Sequence, residues 1–185
     1  DFAGPEALEA FGATLALFAR PGLAVFLKGD LGSGKSTLAR AFIREHGLNE
    51  TITGDLNDVG IIVMGGLTNS VLRALERMEL ADVFGASRIP VLVLNVVYPL
   101  VPEELRAFCA GKSAVLVVEE GYPDYIEQAV NVELRRADIN ARVLGKGLLP
   151  NAGEYASDVL LEGLAAFLQE TRPKGIDADT IAKTA

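Results

Sequence analysis

The feature that most constrains the fold of this chain is a series of continuous apolar runs rich in Val, Ile and Leu. Strands that are covered by helices on both faces need such unbroken runs, whereas half-exposed strands alternate apolar and polar residues. The pattern therefore predicts an α/β fold, a three-layer sandwich around a mostly parallel sheet of about five strands. The predicted strands are residues 24–27, 59–63, 91–97, 114–118 and 141–144.

Helix-length segments lie between these runs, and their apolar residues recur at helical spacing. We expect Pro21 and Gly22 to end the first helix and Gly47 to end the second. We also expect the strand at residues 24–27 to join the common sheet, next to the strand at residues 59–63 or to its neighbour. The predicted helices are residues 5–19, 35–45, 69–78, 102–109, 125–137 and 154–169.

The composition excludes several functional classes. The 185 residues carry a formal net charge of −8, which argues against direct binding to nucleic acid or to an anionic membrane surface. The single cysteine, Cys109, cannot form an internal disulfide or hold an iron–sulfur cluster, and the single histidine, His46, makes a His-rich metal site impossible. No apolar run is long enough to cross a bilayer, so we expect a cytoplasmic protein. The chain begins with Asp1, as expected of a fragment or a processed product.

Residues 29–36 satisfy the phosphate-loop pattern G-x-x-x-x-G-K-S/T between a predicted strand and a predicted helix. Glycines let successive backbone N–H groups point inward at the positive end of the helix, which forms a cradle for anions. Lys35 would contact the β- and γ-phosphates of ATP, and the Ser36 hydroxyl would ligate Mg²⁺. The alternative is an ordinary strand-to-helix turn. The candidate nucleotide-binding residues are Gly29, Gly32, Gly34, Lys35, Ser36 and Thr37.

A phosphate-loop ATPase also needs a carboxylate at the end of a second apolar strand, where it holds the magnesium shell. Glu119 and Glu120 directly follow the apolar run at residues 114–118, so Glu119 is a candidate metal residue. The alternative is that both carboxylates belong to a structural motif at the end of that strand. No catalytic acid or base can be assigned from the sequence.

Residues 5–47 resemble the N-terminal part of the bacterial P-loop ATPase family that assists synthesis of threonylcarbamoyladenosine on tRNA. The resemblance rests on a leading helix, on Pro21 and Gly22, on the run at residues 25–27, and on residues 29–40, which read GDLGSGKSTLAR. It implies nucleotide binding. The Pro-Thr-Phe-Thr, His-x-Asp-x-Tyr-Arg and Glu-Trp elements of that family do not follow in this chain.

Residues 54–170 resemble the middle part of the large subunit of indolepyruvate:ferredoxin oxidoreductase, a thiamine-diphosphate-dependent enzyme of 2-oxo acids. The matching segments read GDLNDVGIIV at 54–63, LNVVYPLVPEE at 94–104, VVEEG at 117–121 and LPNAGEY at 149–155. The resemblance implies a transketolase C-terminal-like domain, which packs between the thiamine-binding domains of that enzyme class. Its partners would be the other domains or subunits of the oxidoreductase.

Two absences limit what this chain can do alone. It has no Gly-Asp-Gly magnesium motif for thiamine diphosphate, and its one cysteine cannot hold an iron–sulfur cluster. These cofactors are therefore expected in parts of the enzyme outside this sequence. The predicted organisation is a P-loop segment at residues 1–50, the transketolase C-terminal-like domain at residues 51–170, and a linker or tail at residues 171–185.

Three hypotheses follow. The chain is a non-catalytic middle domain of the oxidoreductase subunit fused to a P-loop segment that binds ATP, or it is a small P-loop nucleotide-binding protein or ATPase of the tRNA-modification type. The third is a chimeric fragment without a selected activity, since both resemblances stop between residues 48 and 53.

Overall fold

The computed structural model describes residues 4–20 and 23–176, so the expected helix end at Pro21 and Gly22 lies outside the described residues. The chain divides into two compact units. The first contains the described residues up to Asn49 together with Val96–Val101, and the second contains Glu50–Asn95 and the chain from Pro102 onward. Among the described residues, no helix is both long and apolar enough to span a membrane.

The second unit is built on a five-stranded sheet with the order β1-β3-β2-β4-β5. Strands β2 to β5 are parallel to their neighbours, and β1 pairs antiparallel with β3 at one edge. The predicted α/β class with a mostly parallel sheet of five strands is confirmed. The strands are β1 Glu50–Ile52, β2 Val59–Met64, β3 Val91–Leu94, β4 Ala114–Val118 and β5 Arg142–Leu144.

Six α-helices lie in the described residues, two in the first unit and four in the second. A short 3₁₀ helix, Gly65–Leu67, connects β2 to α3. Gly47 ends α2 in the left-handed conformation, with φ of 62°, and its N–H donates to the Ile43 carbonyl, as the sequence predicts. The helices are α1 Pro5–Leu17, α2 Lys35–His46, α3 Thr68–Arg77, α4 Pro102–Cys109, α5 Tyr125–Arg136 and α6 Ser157–Thr171.

Helices cover the sheet of the second unit in two layers. Alternate strand residues such as Ile61 and Leu116 join a core with buried residues of α3 and α6. On the opposite face α4 lies so close to β2 that a Cβ atom added at Gly60 would be 2.9 Å from the Phe108 ring. An Arg106–Glu133 ion pair of 2.9 Å joins α4 to α5. The unbroken apolar runs of β2 and β4 are therefore explained by burial on both faces.

The fifth strand is not the one that the sequence predicts. Residues 24–27 form neither helix nor strand, and Phe26 is 85% exposed, so the expected pairing of this run with β2 or its neighbour is wrong. The fifth strand is β1, a short edge strand in which Thr51 pairs with Leu92. An edge strand is held by backbone hydrogen bonds and needs little apolar sequence, so its side chains gave no signal.

The start of the tail is attached to the second unit. The Lys174 N–H donates to Asp58 Oδ2 at 3.0 Å, and the Gly175 carbonyl accepts from Arg88 at 3.2 Å. Ile176 packs against the core. Residues 172–176 therefore continue the packed structure after α6.

Cys109 is completely buried at the end of α4, as expected for a small apolar residue. Burial raises the pKa of its thiol from an ordinary value of 9.0 to about 11. Burial also lowers the pKa of the neighbouring Lys112, whose ammonium lies 5.0 Å from the centre of the Phe108 ring. The thiol is thus both inaccessible and protonated in the folded protein.

We expect native Cys109 to react with Ellman's reagent at pH 8 at least about a hundredfold more slowly than in the unfolded chain, because reaction requires an exposed thiolate. Because the pKa of this thiol is higher in the folded chain than in the unfolded chain, its ionisation favours unfolding. The free energy of unfolding is therefore unaffected by this group below about pH 9, and it falls as the pH rises towards 11. Stopped-flow labelling with and without urea measures the protection. Equal rates in the two conditions would contradict the burial of this side chain.

Candidate functional site

The phosphate-loop sequence lies in the first unit, directly before α2. Gly29, Gly32 and Gly34 all have positive φ angles, of 155°, 84° and 86°. Gly34 is the N-cap of α2 and adopts a left-handed conformation that residues with a Cβ atom rarely take. The loop therefore curls into the N-terminus of a 12-residue helix, where free backbone N–H groups favour an anion.

Lys35 is folded back over this loop. Its ammonium donates hydrogen bonds to the carbonyl oxygens of Gly29 and Asp30, at 2.8 and 2.7 Å, and to the Ser33 hydroxyl at 3.3 Å. All three acceptors are neutral, so they hold the ammonium in position without cancelling its charge. A phosphate oxygen can compete for such a cation, because a charged acceptor binds an ammonium more strongly than a carbonyl does.

Ser36 and Thr37 follow in the first turn of α2. The Ser36 carbonyl accepts a weak hydrogen bond of 3.4 Å from Arg40, one turn further along the helix. Thr37 lines a cavity beside the loop. No acidic residue lies in the first turn of α2, which leaves the positive end of the helix dipole unopposed.

The cavity beside the loop has a volume of about 530 Å³, within the range of roughly 300 to 1,000 Å³ that is usual for small-molecule sites. One wall comes from the phosphate loop and α2, and the other comes from the start of α1. Its lining residues are Gly4, Pro5, Leu8, Gly32, Ser33, Gly34 and Thr37.

The helix α1 is fixed against α2 by close contacts at small residues. A Cβ atom added at Gly12 would lie 2.6 Å from the Leu38 carbonyl oxygen, and one added at Gly34 would lie 2.2 Å from Leu8 Cδ2. Pro5 and Leu8 were not predicted as site residues, because their own sequence pattern does not indicate that α1 packs beside the loop. The one available signal is Gly34, where a missing side chain leaves room for a neighbour.

Glu119, the candidate metal residue, lies in the second unit directly after β4 and is 5% exposed. Its two carboxylate oxygens accept hydrogen bonds of 2.8 Å from the backbone N–H groups of Ile126 and Glu127, at the start of α5. It therefore caps this helix with charge-assisted hydrogen bonds. The magnesium role stays a prediction from the sequence. Within the described residues, no group of three or more His, Cys, Asp or Glu side chains could hold a metal ion.

A polar network surrounds this cap at the ends of β4 and β5. Lys146 donates to the Glu119 carbonyl at 2.7 Å and to the Tyr155 hydroxyl at 2.6 Å. That hydroxyl donates to the Pro150 carbonyl at 2.5 Å, while the Tyr155 N–H donates to Glu120 at 2.7 Å. The network ties the chain before α6 to the end of β4. Tyr155 thus anchors the approach to the last helix, and the role of Lys146 was not predicted.

Glu127 completes the network by accepting the Lys146 N–H at 2.9 Å. A Cβ atom added at Gly145 would lie 2.3 Å from the same carboxylate, so the close approach requires glycine there. At least one oxygen of each of these carboxylates, Glu119, Glu120 and Glu127, accepts a hydrogen bond from a backbone N–H group, so all three have a structural role at this end of the sheet.

Comparison with known proteins finds two relatives of different kinds. Residues 2–55 match the model of a family described as threonylcarbamoyl adenosine biosynthesis protein TsaE. A further match of 126 residues is 33% identical to indolepyruvate oxidoreductase subunit IorA of Methanothermobacter thermautotrophicus. Both segment resemblances are confirmed.

The match to IorA covers 66% of this chain and 19% of that subunit. The chain thus has a TsaE-like part and a part similar to an oxidoreductase subunit, and it spans about a fifth of the length of this relative.

We expect Glu119→Gln to lower the free energy of unfolding by roughly 1–3 kcal/mol, because it removes the charge from two short hydrogen bonds at a buried helix cap. Urea unfolding followed by circular dichroism measures the change. Glu154→Gln is the matched control, since it removes the same charge from an exposed residue. A Glu119 variant as stable as this control would contradict the capping role.

Proposed function

We propose that residues 51–170 act as the non-catalytic middle domain of a thiamine-diphosphate-dependent 2-oxoacid:ferredoxin oxidoreductase subunit of the indolepyruvate type. The observation that carries the proposal is the 33% identity to IorA over 126 residues. The thiamine diphosphate and iron–sulfur clusters would belong to other parts of the enzyme, since this sequence has no Gly-Asp-Gly motif and one cysteine. The contribution of this domain would be packing and organisation of the subunit.

A hairpin loop in the second unit supports a packing role. Asp82 Oδ1 accepts hydrogen bonds of 2.9 Å from the N–H groups of Phe84 and Ala86, and Ala81 bridges to Ser87 at its base. This loop holds Val83 and Phe84 out into solvent, where they are 73% and 93% exposed. Exposed apolar side chains on an ordered loop are typical of contact surfaces. We infer that the loop with Val83 and Phe84 contacts the remaining domains of the oxidoreductase subunit.

We expect a hybrid IorA, in which residues 50–176 replace the matching segment, to be destabilised by Phe84→Ser. Burying a Phe side chain contributes about 1.5–3 kcal/mol, and a melting curve of the hybrid measures its loss. The isolated chain is the control, because the same substitution removes an exposed ring there and should leave its melting temperature nearly unchanged. A hybrid insensitive to Phe84→Ser would count against docking through this loop.

We further propose that the first unit binds ATP with Mg²⁺, which is the part of the function that the TsaE-like segment suggests. The supporting geometry is the curled glycine loop, the ammonium of Lys35 held by neutral acceptors, and the adjoining cavity. Backbone N–H groups of the loop would bind phosphate oxygens, and Lys35 would add a positive charge. A bound Mg²⁺ would offset phosphate charge, with the Ser36 hydroxyl as its protein ligand.

Isothermal titration calorimetry with ATP and Mg²⁺ tests this binding. We expect micromolar affinity in the original chain and a loss of at least about tenfold in Lys35→Ala, because a charge-assisted contact to phosphate is removed. Lys174→Ala, in the second unit, carries the same change in net charge and should bind as the original does. If the original chain releases or absorbs no heat of binding, the proposal of ATP binding is wrong and residues 29–36 form only a structural turn.

A further inference from the structure

The first unit contains an exposed apolar segment between α1 and the glycine loop. Residues 23–27 read LAVFL, and all five are exposed. Among the described residues, eight of the fifteen exposed large apolar side chains lie within residues 11–31, so this unit carries most of such surface. Exposed apolar surface that is concentrated in one place is typical of a site where another protein surface binds.

The backbone of this segment also lacks partners. No hydrogen bond joins the backbone of residues 24–28 to another described residue. Val, Phe and Leu favour strands, and side chains of an extended chain point alternately to two sides. The exposed fractions of Leu23, Val25 and Leu27, at 53%, 46% and 37%, are all lower than the 85% of Phe26 on the other side. An unpaired segment of this kind is a template for pairing with another strand.

Two copies of this segment fit each other in an antiparallel pair. With a two-fold axis at Val25, this residue faces its own copy, Leu23 faces Leu27, and the small Ala24 faces the large Phe26. Both faces of such a ribbon carry apolar pairs only, and cross-strand pairs of apolar side chains stabilise antiparallel strands. The segment is therefore complementary to itself.

The distribution of charge favours contact between two first units. Residues 1–49 contain five acidic and five basic side chains, which cancel, and residues 96–101 contain none. The formal net charge of −8 therefore belongs entirely to the second unit. Two copies that meet through their neutral units avoid the repulsion between acidic surfaces. Lys28, which follows the segment, would not face its own copy because the axis lies at Val25.

We propose that residues 23–27 are the contact surface for a second copy of this chain, and that the two segments pair antiparallel about a two-fold axis at Val25. The pairing supplies the partners that the backbone lacks and covers Phe26. It depends neither on nucleotide binding nor on the role of the second unit. Five residues from each copy cover less than the roughly 800 Å² per partner of a standard interface, so we expect a reversible dimer with micromolar affinity.

Sedimentation equilibrium at several concentrations tests the proposal. We expect a monomer–dimer equilibrium in the original chain, and we expect Val25→Lys and Val25→Glu each to weaken it at least about thirtyfold, because like charges then face each other across the axis. An equimolar mixture of the two variants should dimerise again, since opposite charges are then paired. Val132→Lys is the matched control, because Val132 is 47% exposed and lies on α5 in the second unit.

Cross-linking measures the position of the axis without adding a charge. Cα atoms that face each other in an antiparallel pair are about 4.5–5.5 Å apart, within the range of a disulfide. In Val25→Cys, diamide should therefore produce a covalent dimer at least about tenfold faster than in Leu31→Cys, whose substituted position is fully exposed in the same unit but lies outside the segment. Cys109 is completely buried and contributes little background on a non-reducing gel.

The outcomes decide for or against the segment. Recovery of the dimer in the mixture supports pairing at Val25, as does the faster cross-linking of Val25→Cys. A chain that stays monomeric at about 100 µM contradicts the proposal, and so does a dimer that Val25→Lys and Val132→Lys weaken equally. Far-ultraviolet circular dichroism of each variant checks that it is folded. If Val25→Lys is unfolded, the cross-linking rates decide.

Discussion

Burial of β2 and β4 on both faces is the constraint on which the second unit depends. Ile61, Ile62 and Leu116 are completely buried, so neither face of these strands can carry a polar side chain. Each of the two strands also has a hydrogen-bonded neighbour on both sides, which satisfies its backbone groups away from water. Polar side chains can therefore begin only where the strands end, as Glu119 does after β4.

This constraint explains why a carboxylate occurs in a nearly buried position. Glu119 directly follows β4 and lies beside the N-terminus of α5, where two backbone N–H groups require acceptors. The Glu119 carboxylate accepts hydrogen bonds from both of these N–H groups, and the same bonds offset the loss of hydration of the carboxylate. Lys146 then binds the Glu119 carbonyl and the Tyr155 hydroxyl, so a strand end, a loop and the approach to α6 are held at one point.

The sequence predicts the parts of the fold that depend on apolar burial, because such burial leaves a pattern. The bounds of β4 and α4 agree with residues 114–118 and 102–109. It does not predict β1, whose residues are held by backbone pairing to β3, and it wrongly predicts a strand at residues 24–27. An apolar run has the composition of a strand, but a strand also requires a partner, and pairing across the chain leaves no local signal.

The same distinction applies to the candidate sites. The phosphate-loop pattern is recognisable from sequence because its glycines and lysine lie within seven consecutive residues, 29–35, whereas Pro5 and Leu8 lie beside it only through the packing of α1 against α2. Glu119 was recognisable as a strand-end carboxylate, but its hydrogen bonds depend on where α5 begins. Residues that join a site through packing can therefore be identified only from the structure, whereas residues that act through local backbone geometry can be identified from the sequence.

Phosphate binding and phosphate hydrolysis require different groups, and the first unit contains groups of the first kind. Binding needs oriented N–H groups and a cation, and these come from the loop conformation, from α2 and from Lys35, whether or not residues 24–27 form a strand. Hydrolysis also needs a carboxylate for the magnesium shell and a group that orients water. The sequence offers Glu119 for the carboxylate, but both of its oxygens already accept hydrogen bonds from α5. The geometry of residues 29–37 supplies groups of the kind that phosphate binding requires, so binding rather than hydrolysis is the function that we propose for this unit.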